Sequence, residues 1–334
     1  FDKLNISDTI CAPEKVEPLP ALVVDEPTIS MTFQVNNSPS AGRDGQFVTS
    51  RNLGERLAQE VIHNVALRVE PTSDPDKFKV SGRGELHLGI LVETMRREGY
   101  ELAISRPEVI LKEMDGKICE PWQVLTVDVE DEHQGAIMEK LGERRGELRN
   151  VGSDSRGRTQ LEYLIPTRGL IGFRSEFLTA TSGTGLMYHA FDHYDTRVDA
   201  ALGRRNSGVL VSMASGKALA YALFNLQERG RLFVSPGTEI YEGMVVGQHV
   251  RANDLVVNPM KGKQLTNIRA AGSDEKIILT PPIETTLEYA LEFINDDELI
   301  EVTPKSIRIR KKLLRQHERK KAGRDMKQSS GAVA

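Results

Sequence analysis

The fold is decided by residues 28–36, TISMTFQVN, in which apolar and polar side chains alternate without a break. On one side of an extended chain this stretch places four apolar residues, Ile29, Met31, Phe33 and Val35. Because successive side chains of a strand point to opposite faces, the pattern predicts a strand with one buried face.

Further elements follow from this strand in an order that predicts a compact unit. A polar loop, residues 36–46, leads to a helix with one apolar face made of Leu53, Leu57, Ala58, Val61 and Ile62. Strands are predicted at 66–70 and 77–81, on either side of a Pro-Thr-Ser-Asp-Pro turn. A second helix begins near Glu85, with Leu86, Ile90, Leu91 and Met95 expected to face inward, and a last strand covers 100–105. The order β-α-β-β-α-β is that of the split βαβ, ferredoxin-like pattern.

The same order repeats further along the chain. Strands are predicted at 124–130, 147–151, 159–165 and 186–194, and helices at 134–145 and 170–181. Beyond Gly203 the pattern changes to short strands separated by glycine, with two helical stretches between them. We therefore predict an α+β protein with tandem ferredoxin-like domains at 26–110 and 118–200, followed by a β-rich C-terminal domain with helices at 204–320. Residues 321–334 are predicted to be a disordered tail.

Charge is distributed unevenly. The chain carries −4 overall, yet eleven of its 44 basic residues and only two of its 48 acidic ones lie between Lys305 and Lys327, which gives +9 there and −13 elsewhere. A basic segment on an acidic body suggests a nucleic-acid partner, although a solvated segment that binds nothing has the same composition. Aromatic residues make up 5%, so recognition through shape and phosphates is favoured over base stacking.

Several classes of site are disfavoured by the motifs. The nearest approach to a phosphate-binding P-loop, Ser215-Gly216-Lys217-Ala218, has Val211 where the first glycine belongs and Ala218 where the hydroxyl belongs. His189 and His193 are expected on one face of a strand, but no third metal ligand accompanies them. The two cysteines lack a CxxC partner, and no apolar run approaches the roughly 20 residues that span a membrane. We predict no catalytic residue, metal or cofactor in this chain, a reducing cytoplasmic location and no membrane contact.

Two segments carry a family resemblance. Residues 81–88, SGRGELHL, lead a strand through a glycine turn into a helix and are similar to the third domain of elongation factor G. Residues 165–177, IPTRGLIGFRSEF, with 181–185, TSGTG, resemble the fifth domain of that class in the version of the TypA/BipA family. The resemblance covers essentially the whole chain, with residues 1–25 corresponding to the end of a β-barrel domain and its linker.

The resemblance implies a function. The chain would be the C-terminal portion of a translational GTPase whose GTP-binding domain lies outside it, which agrees with the missing P-loop. GTP and Mg²⁺ are expected for the full-length protein only. The expected partners are the ribosome (70S and large subunit), rRNA and tRNA. A monomer is expected, with a role in stress adaptation and large-subunit assembly.

Candidate contact residues lie in three places. Residues 258–269 form a glycine-containing loop with three cations, Lys261, Lys263 and Arg269, which suits phosphate contact. The resemblance implies that this loop reaches toward the acceptor end of A-site tRNA. It also implies rRNA or ribosomal-protein contact for Arg168 and Arg174, and the basic segment adds Arg308, Arg310, Lys311 and Lys312. The alternative interpretation is an exposed loop with ordinary lysines and a surface salt bridge at Arg174.

Two other functions use the same fold. Paired ferredoxin-like domains of the ACT type sense metabolites, but that interpretation leaves the basic segment without a purpose. An acylphosphatase-like hydrolase would need a loop after the first strand whose amides hold an anion, and residues 36–43 faintly suggest one.

Overall fold

The computed structural model describes residue 6 and residues 8–20, 26–154, 157–200, 202–203, 205–262 and 278–331, with the backbone alone over 326–331. The chain divides into two compact units. Unit 1 comprises Phe1–Asn37 and Ala41–Arg204, and unit 2 comprises Ser38–Ser40 and Arg205–Ala334.

The first half of unit 1 has the predicted β-α-β-β-α-β order. Its elements are β1 (Ile29–Val35), α1 (Ser50–His63), β2 (Arg68–Pro71), β3 (Lys77–Gly82), α2 (Glu85–Arg97) and β4 (Leu102–Ile104). The strands are antiparallel in the order β4-β1-β3-β2, and a short β5 (Glu108–Val109) also pairs with β1. This arrangement confirms the ferredoxin-like fold.

The face that α2 buries differs from the prediction. Leu88, Leu91, Val92 and Met95 are buried, as the i, i+3, i+4 spacing of a helix requires. By contrast, 63% of Leu86 and 59% of Ile90 are exposed, so the prediction that these two face inward was wrong. The tight turn decides the orientation, because a Cβ on Gly82 would lie 2.9 Å from Leu88 Cδ2, which places Leu88 directly on β3. Val61 and Ile62 at the end of α1 are exposed for more than a third of their area.

The second half of unit 1 repeats the topology. Its elements are β6 (Lys112–Met114), β7 (Lys117–Glu130), α3 (Gln134–Glu143), β8 (Glu147–Ser153), β9 (Arg158–Pro166), α4 (Thr167–Leu170), α5 (Phe173–Ala180) and β10 (Leu186–Thr196). The strand order is β10-β7-β9-β8, with β6 paired to β7. The single helix predicted over 170–181 is two helices, because Gly172 has a left-handed φ of 71° and interrupts the helical backbone.

Unit 2 is built on small sheets. Four strands, β11 (Val209–Ser212), β13 (Gly230–Leu232), β15 (Val245–His249) and β16 (Leu255–Val257), form a sheet in the order β13-β15-β11-β16. The strands β12 (Gly216–Lys217) and β14 (Glu239–Ile240) pair with each other, and β17 (Glu298–Val302) and β18 (Ile307–Lys311) form a hairpin. The helices are α6 (Ala220–Leu226), α7 (Leu287–Phe293) and α8 (Gln316–Gly331).

The end of the chain differs from the sequence prediction. Helix α8 continues to Gly331, whereas a disordered tail was predicted from residue 321. Residues 319–328 contain Arg, Lys, Ala, Met and Gln, which are good helix formers and explain the difference. Within the parts of the chain that are described, no helix combines the length and the apolar character needed to cross a membrane.

Candidate nucleic-acid interface

Lys261 lies at the outgoing stem of the predicted cationic loop, and this stem is fixed to unit 2. The Met213 amide donates to Val257 O at 3.0 Å, and the Leu219 amide donates to Pro259 O at 3.0 Å. Met260 packs against the unit 2 core and covers Gly216, where an added Cβ would lie 2.5 Å from the Met260 sulfur. Lys261 itself is exposed. The other two predicted cations of the loop, Lys263 and Arg269, lie outside the described residues.

The segment that most resembles a P-loop has a different structure. Gly216 and Lys217 form β12 and pair with Ile240 and Glu239. Ala218 is buried in the core of unit 2. The backbone of this segment is therefore occupied in a two-stranded sheet.

Lys311, a predicted RNA contact, is only 2% exposed and binds three carboxylates. Its ammonium group lies 2.6 Å from Asp254, 2.7 Å from Asp297 and 3.0 Å from Glu298. Burial lowers the pKa of Lys311, but Glu298 and the two aspartates outweigh it, so the pKa is raised overall. The lysine is therefore charged and engaged within the protein.

Glu298 and Glu301 organise the hairpin that carries the other predicted cations. Both carboxylates are fully buried. Glu298 also accepts two hydrogen bonds from Arg205, at 3.0 and 3.2 Å. Glu301 accepts from Arg308 at 3.0 Å and from the Tyr241 hydroxyl at 2.5 Å. Burial, and then the Glu301 charge, raises the pKa of Tyr241, so the phenol stays protonated and donates.

Arg310 is also enclosed, with 1% of its surface exposed. Burial lowers its pKa, although the guanidinium remains a cation. Arg310 and Lys311 thus stabilise the hairpin in this structure and present no side chain to a partner, and Arg308 is mostly occupied by Glu301. The predicted RNA contact of Arg310 and Lys311 is replaced by this internal role.

Exposed cations begin immediately after the hairpin. Lys312, Arg315, Lys320, Lys321 and Arg324 are all exposed, and the last three lie on α8. Arg319 differs, since its guanidinium donates to the carbonyls of Leu313 and Leu314 and so holds the start of the helix. This group, Lys312 to Arg324, is the part of the basic segment that a phosphate chain can reach.

In unit 1, the two predicted arginines have opposite environments. Arg168 is held by the fully buried Glu120, which it meets at 2.5 and 2.9 Å. It also donates to the carbonyls of Val198 and Ala200, at 2.7 and 3.0 Å. Arg168 is therefore a structural cation that ties the end of β10 to β7. Arg174 on α5 is exposed, and burial and the Arg174 charge together lower the pKa of His189.

The anion-binding loop required for an acylphosphatase is filled by the protein itself. The amides of Gly42, Asp44 and Gly45 donate to the Glu101 carboxylate at 2.7, 2.8 and 2.6 Å. Glu101 is 3% exposed. Amides that already hold a buried carboxylate are not available to a substrate phosphate, so this arrangement disfavours the hydrolase.

The pair of histidines considered as metal ligands is separated by a bulge. His189 lies opposite Leu125, whereas His193 lies opposite Trp122, with the register shifted between Phe191 and His193. Residues 122 and 125 of a strand face opposite sides, so the expectation that the two histidines share a face was wrong. Among the described residues, one group of possible ligands clusters elsewhere, Glu130, Glu132 and His133, and it is an exposed or half-exposed set on the surface.

The residues that sequence reasoning missed are Glu298 and Glu301. A usable signal was present, because residues 298–311 read as two charged, apolar-alternating strands around Thr303-Pro304-Lys305-Ser306. In that hairpin Glu298 lies directly opposite Lys311, and Glu301 lies directly opposite Arg308. Cross-strand neighbours of opposite charge attract, so the pairing could have been predicted.

Comparison with known proteins agrees with the fold and the basic surface. Residues 207–316 match the TypA/BipA C-terminal domain family, and residues 117–202 match the elongation factor G C-terminus family. The large ribosomal subunit assembly factor BipA of Salmonella typhimurium is 60% identical over 326 residues, which is 98% of this chain and 54% of that protein. The proteins of the same name from Haemophilus influenzae and Buchnera aphidicola are 60% and 55% identical, over 96% and 98% of this chain and 52% and 54% of their own lengths.

The chain spans about half the length of the curated relatives it matches. Within that span the identity is high from end to end, and two family matches cover adjacent parts of it in order. The chain belongs to the TypA/BipA family.

Proposed function

We propose that this chain is the ribosome-docking portion of a large-subunit assembly factor, and that it binds rRNA and tRNA through exposed cations of unit 2. The observation that carries the proposal is the 60% identity to proteins named for large-subunit assembly, over 98% of the chain. The structure supports it by separating cations held inside the protein from cations that face outward, so that a specific set remains for phosphate.

That set has two parts in unit 2 and one in unit 1. Lys261 stands on a fixed stem, and the group Lys312 to Arg324 follows the hairpin. Arg174 is the exposed candidate of unit 1. Lysine and arginine at such positions contact phosphate oxygens without reading sequence, which suits docking on a folded RNA surface. Lys263 and Arg269 remain in the proposal by their place in the same loop.

The whole protein, in this proposal, binds GTP with Mg²⁺ and hydrolyses GTP through a domain outside this chain. The chain itself would hydrolyse nothing, act as a monomer and work in the cytoplasm. A purified sample that turns over GTP, with or without ribosomal subunits, contradicts this division of labour.

Co-sedimentation with large ribosomal subunits across a salt series tests the docking. Wild-type chain is expected to pellet at low salt and to lose affinity steeply as salt rises, because counterions released from phosphates drive the binding. The log–log slope should fall by roughly 0.7 to 0.9 for each phosphate contact removed. Binding that does not respond to salt, or no binding at low salt, overturns the proposal.

A pair of variants locates the contact. Lys261→Ala combined with Lys263→Ala is expected to reduce the affinity and the slope without lowering the unfolding temperature, since Lys261 is exposed. Lys77→Ala is the matched control, because Lys77 forms only an exposed ion pair with Asp74 in unit 1. Equal affinity for both variants would remove the loop from the proposal.

A further inference from the structure

Helix α6 contacts both ends of the cationic loop in unit 2. At its N-terminal side, the Leu219 amide donates to Pro259 O at 3.0 Å and so holds the outgoing stem next to Lys261. At its C-terminal side, Gln227 follows the last helical residue and holds the returning stem, residues 278–280. One short helix thus connects two chain segments that residues 263–277 separate in sequence.

The contact at Gln227 is a two-point bracket. Its side-chain Nε2 donates to Ile278 O at 3.1 Å, and its Oε1 accepts from the Thr280 amide at 3.0 Å. A glutamine amide offers one donor and one acceptor in a plane, as a backbone peptide does, so it pairs with the returning stem as a neighbouring strand would. Leu279, between the two bonded residues, packs against the core of unit 2. The stem is therefore fixed on both sides.

The spacing of the stems follows from the helix. Leu219 and Gln227 are eight residues apart, and a rise of 1.5 Å per residue places them about 12 Å apart. Both ends of α6 are anchored, since Ala222 and Leu223 are buried and the Ile283 amide donates to Leu232 O at 2.8 Å just beyond the returning stem. A rigid helix of fixed length keeps this separation while the loop meets a partner.

We infer that Gln227 is a positioning residue for RNA docking: by clamping the returning stem to α6, it sets the geometry in which Lys261 and the following loop reach phosphates. This inference rests on the proposed function. Fixed stems reduce the ordering that binding requires, and the ordering of one flexible side chain corresponds to about two- to tenfold in affinity. Gln227 contacts no RNA itself in this account.

The experiment compares Gln227→Ala with Asn225→Ala in the 334-residue chain. Asn225 is the matched control, because it lies on the same helix and its side chain donates to Tyr221 O of the preceding turn, away from both stems. Three quantities are measured: the exchange rate of the Thr280 amide, the unfolding temperature, and the affinity for large ribosomal subunits with its salt slope. Gln227→Ala is expected to speed Thr280 exchange, leave the unfolding temperature within a few degrees, and weaken binding about two- to tenfold. Asn225→Ala should change neither exchange nor binding.

A conservative variant separates positioning from general stability. Gln227→Glu keeps the acceptor for Thr280 but places an oxygen against the Ile278 carbonyl, so binding should fall between that of wild type and Gln227→Ala. If Gln227→Ala frees the Thr280 amide yet binds with wild-type affinity and slope, or if Thr280 exchange is unchanged, the inference is wrong while the proposed function stands. If wild-type chain ignores large subunits at low salt, the proposed function and the inference both fall.

Discussion

Lys311 and Lys312 are neighbours in sequence in opposite environments, and replacing each with methionine measures what burial does to a basic residue. Methionine has nearly the length of lysine without the charge. Removing one member of a buried ion pair costs about 3–5 kcal/mol, because the remaining charge stays desolvated. We expect the lower end, about 3 kcal/mol, for Lys311→Met, since Glu298 keeps both bonds from Arg205 and Asp254 is partly solvated.

Native-state hydrogen exchange is the suitable assay, because it reports the opening of each part of the chain separately. The amides of β17 and β18 should open about two orders of magnitude more often in Lys311→Met, the equivalent of about 3 kcal/mol. In Lys312→Met the change should stay within about 0.5 kcal/mol, as for other exposed positions. Trp122, the single tryptophan, is buried in unit 1 and serves as an internal control that should not change.

The pH dependence of the same pair gives an independent check. The pKa of Lys311 is raised above its ordinary value of 10.5 in the folded protein. A raised pKa contributes stability below the unfolded value and loses it as pH rises through the folded value. The difference in unfolding free energy between wild type and Lys311→Met should therefore be constant near neutrality and shrink above about pH 10.5. Lys311→Met that matches Lys312→Met in exchange, or a gap that widens with pH, would refute the buried ion-pair reasoning.

Three further predictions concern unit 1. Arg168→Met leaves a buried carboxylate without its partner, so Trp122 fluorescence should show unfolding at lower urea by about 3 kcal/mol, and an unchanged midpoint would contradict the structural role. The pKa of His87, lowered by burial and by Arg83, should lie below 6.5 in an NMR titration and rise in Arg83→Ala; a midpoint at or above 6.5 in wild type argues against it. Glu101→Ala exposes three amides that lack an acceptor, so acetate should raise the unfolding temperature of this variant more than that of wild type. Equal shifts would show that Glu101 does not fill an anion-binding loop.

Much of the architecture could be predicted because it depends on local pattern. The alternation in residues 28–36 identified β1, and the turn at Gly82-Arg83-Gly84 identified the start of α2. The second unit followed because the same element order recurred. Predictions failed where a segment was apolar on more than one side, as in α2, and where a single irregular residue changed the phase of a strand, as between Phe191 and His193. Periodicity alone does not determine which apolar side meets the sheet.

The sequence by itself determined the two ferredoxin-like units, the basic segment and the cations of the loop at Lys261, since each is a property of residues close together in the chain. Only the tertiary structure decided which cations are available to a partner. Arg168, Arg310 and Lys311 meet carboxylates or carbonyls distant in sequence, and in a low-dielectric interior a charge must be paired where it lies. Lys261 and Lys312 have the same chemistry but remain exposed. The physical reason is that charge is written in the sequence, whereas its solvation is a property of the folded chain.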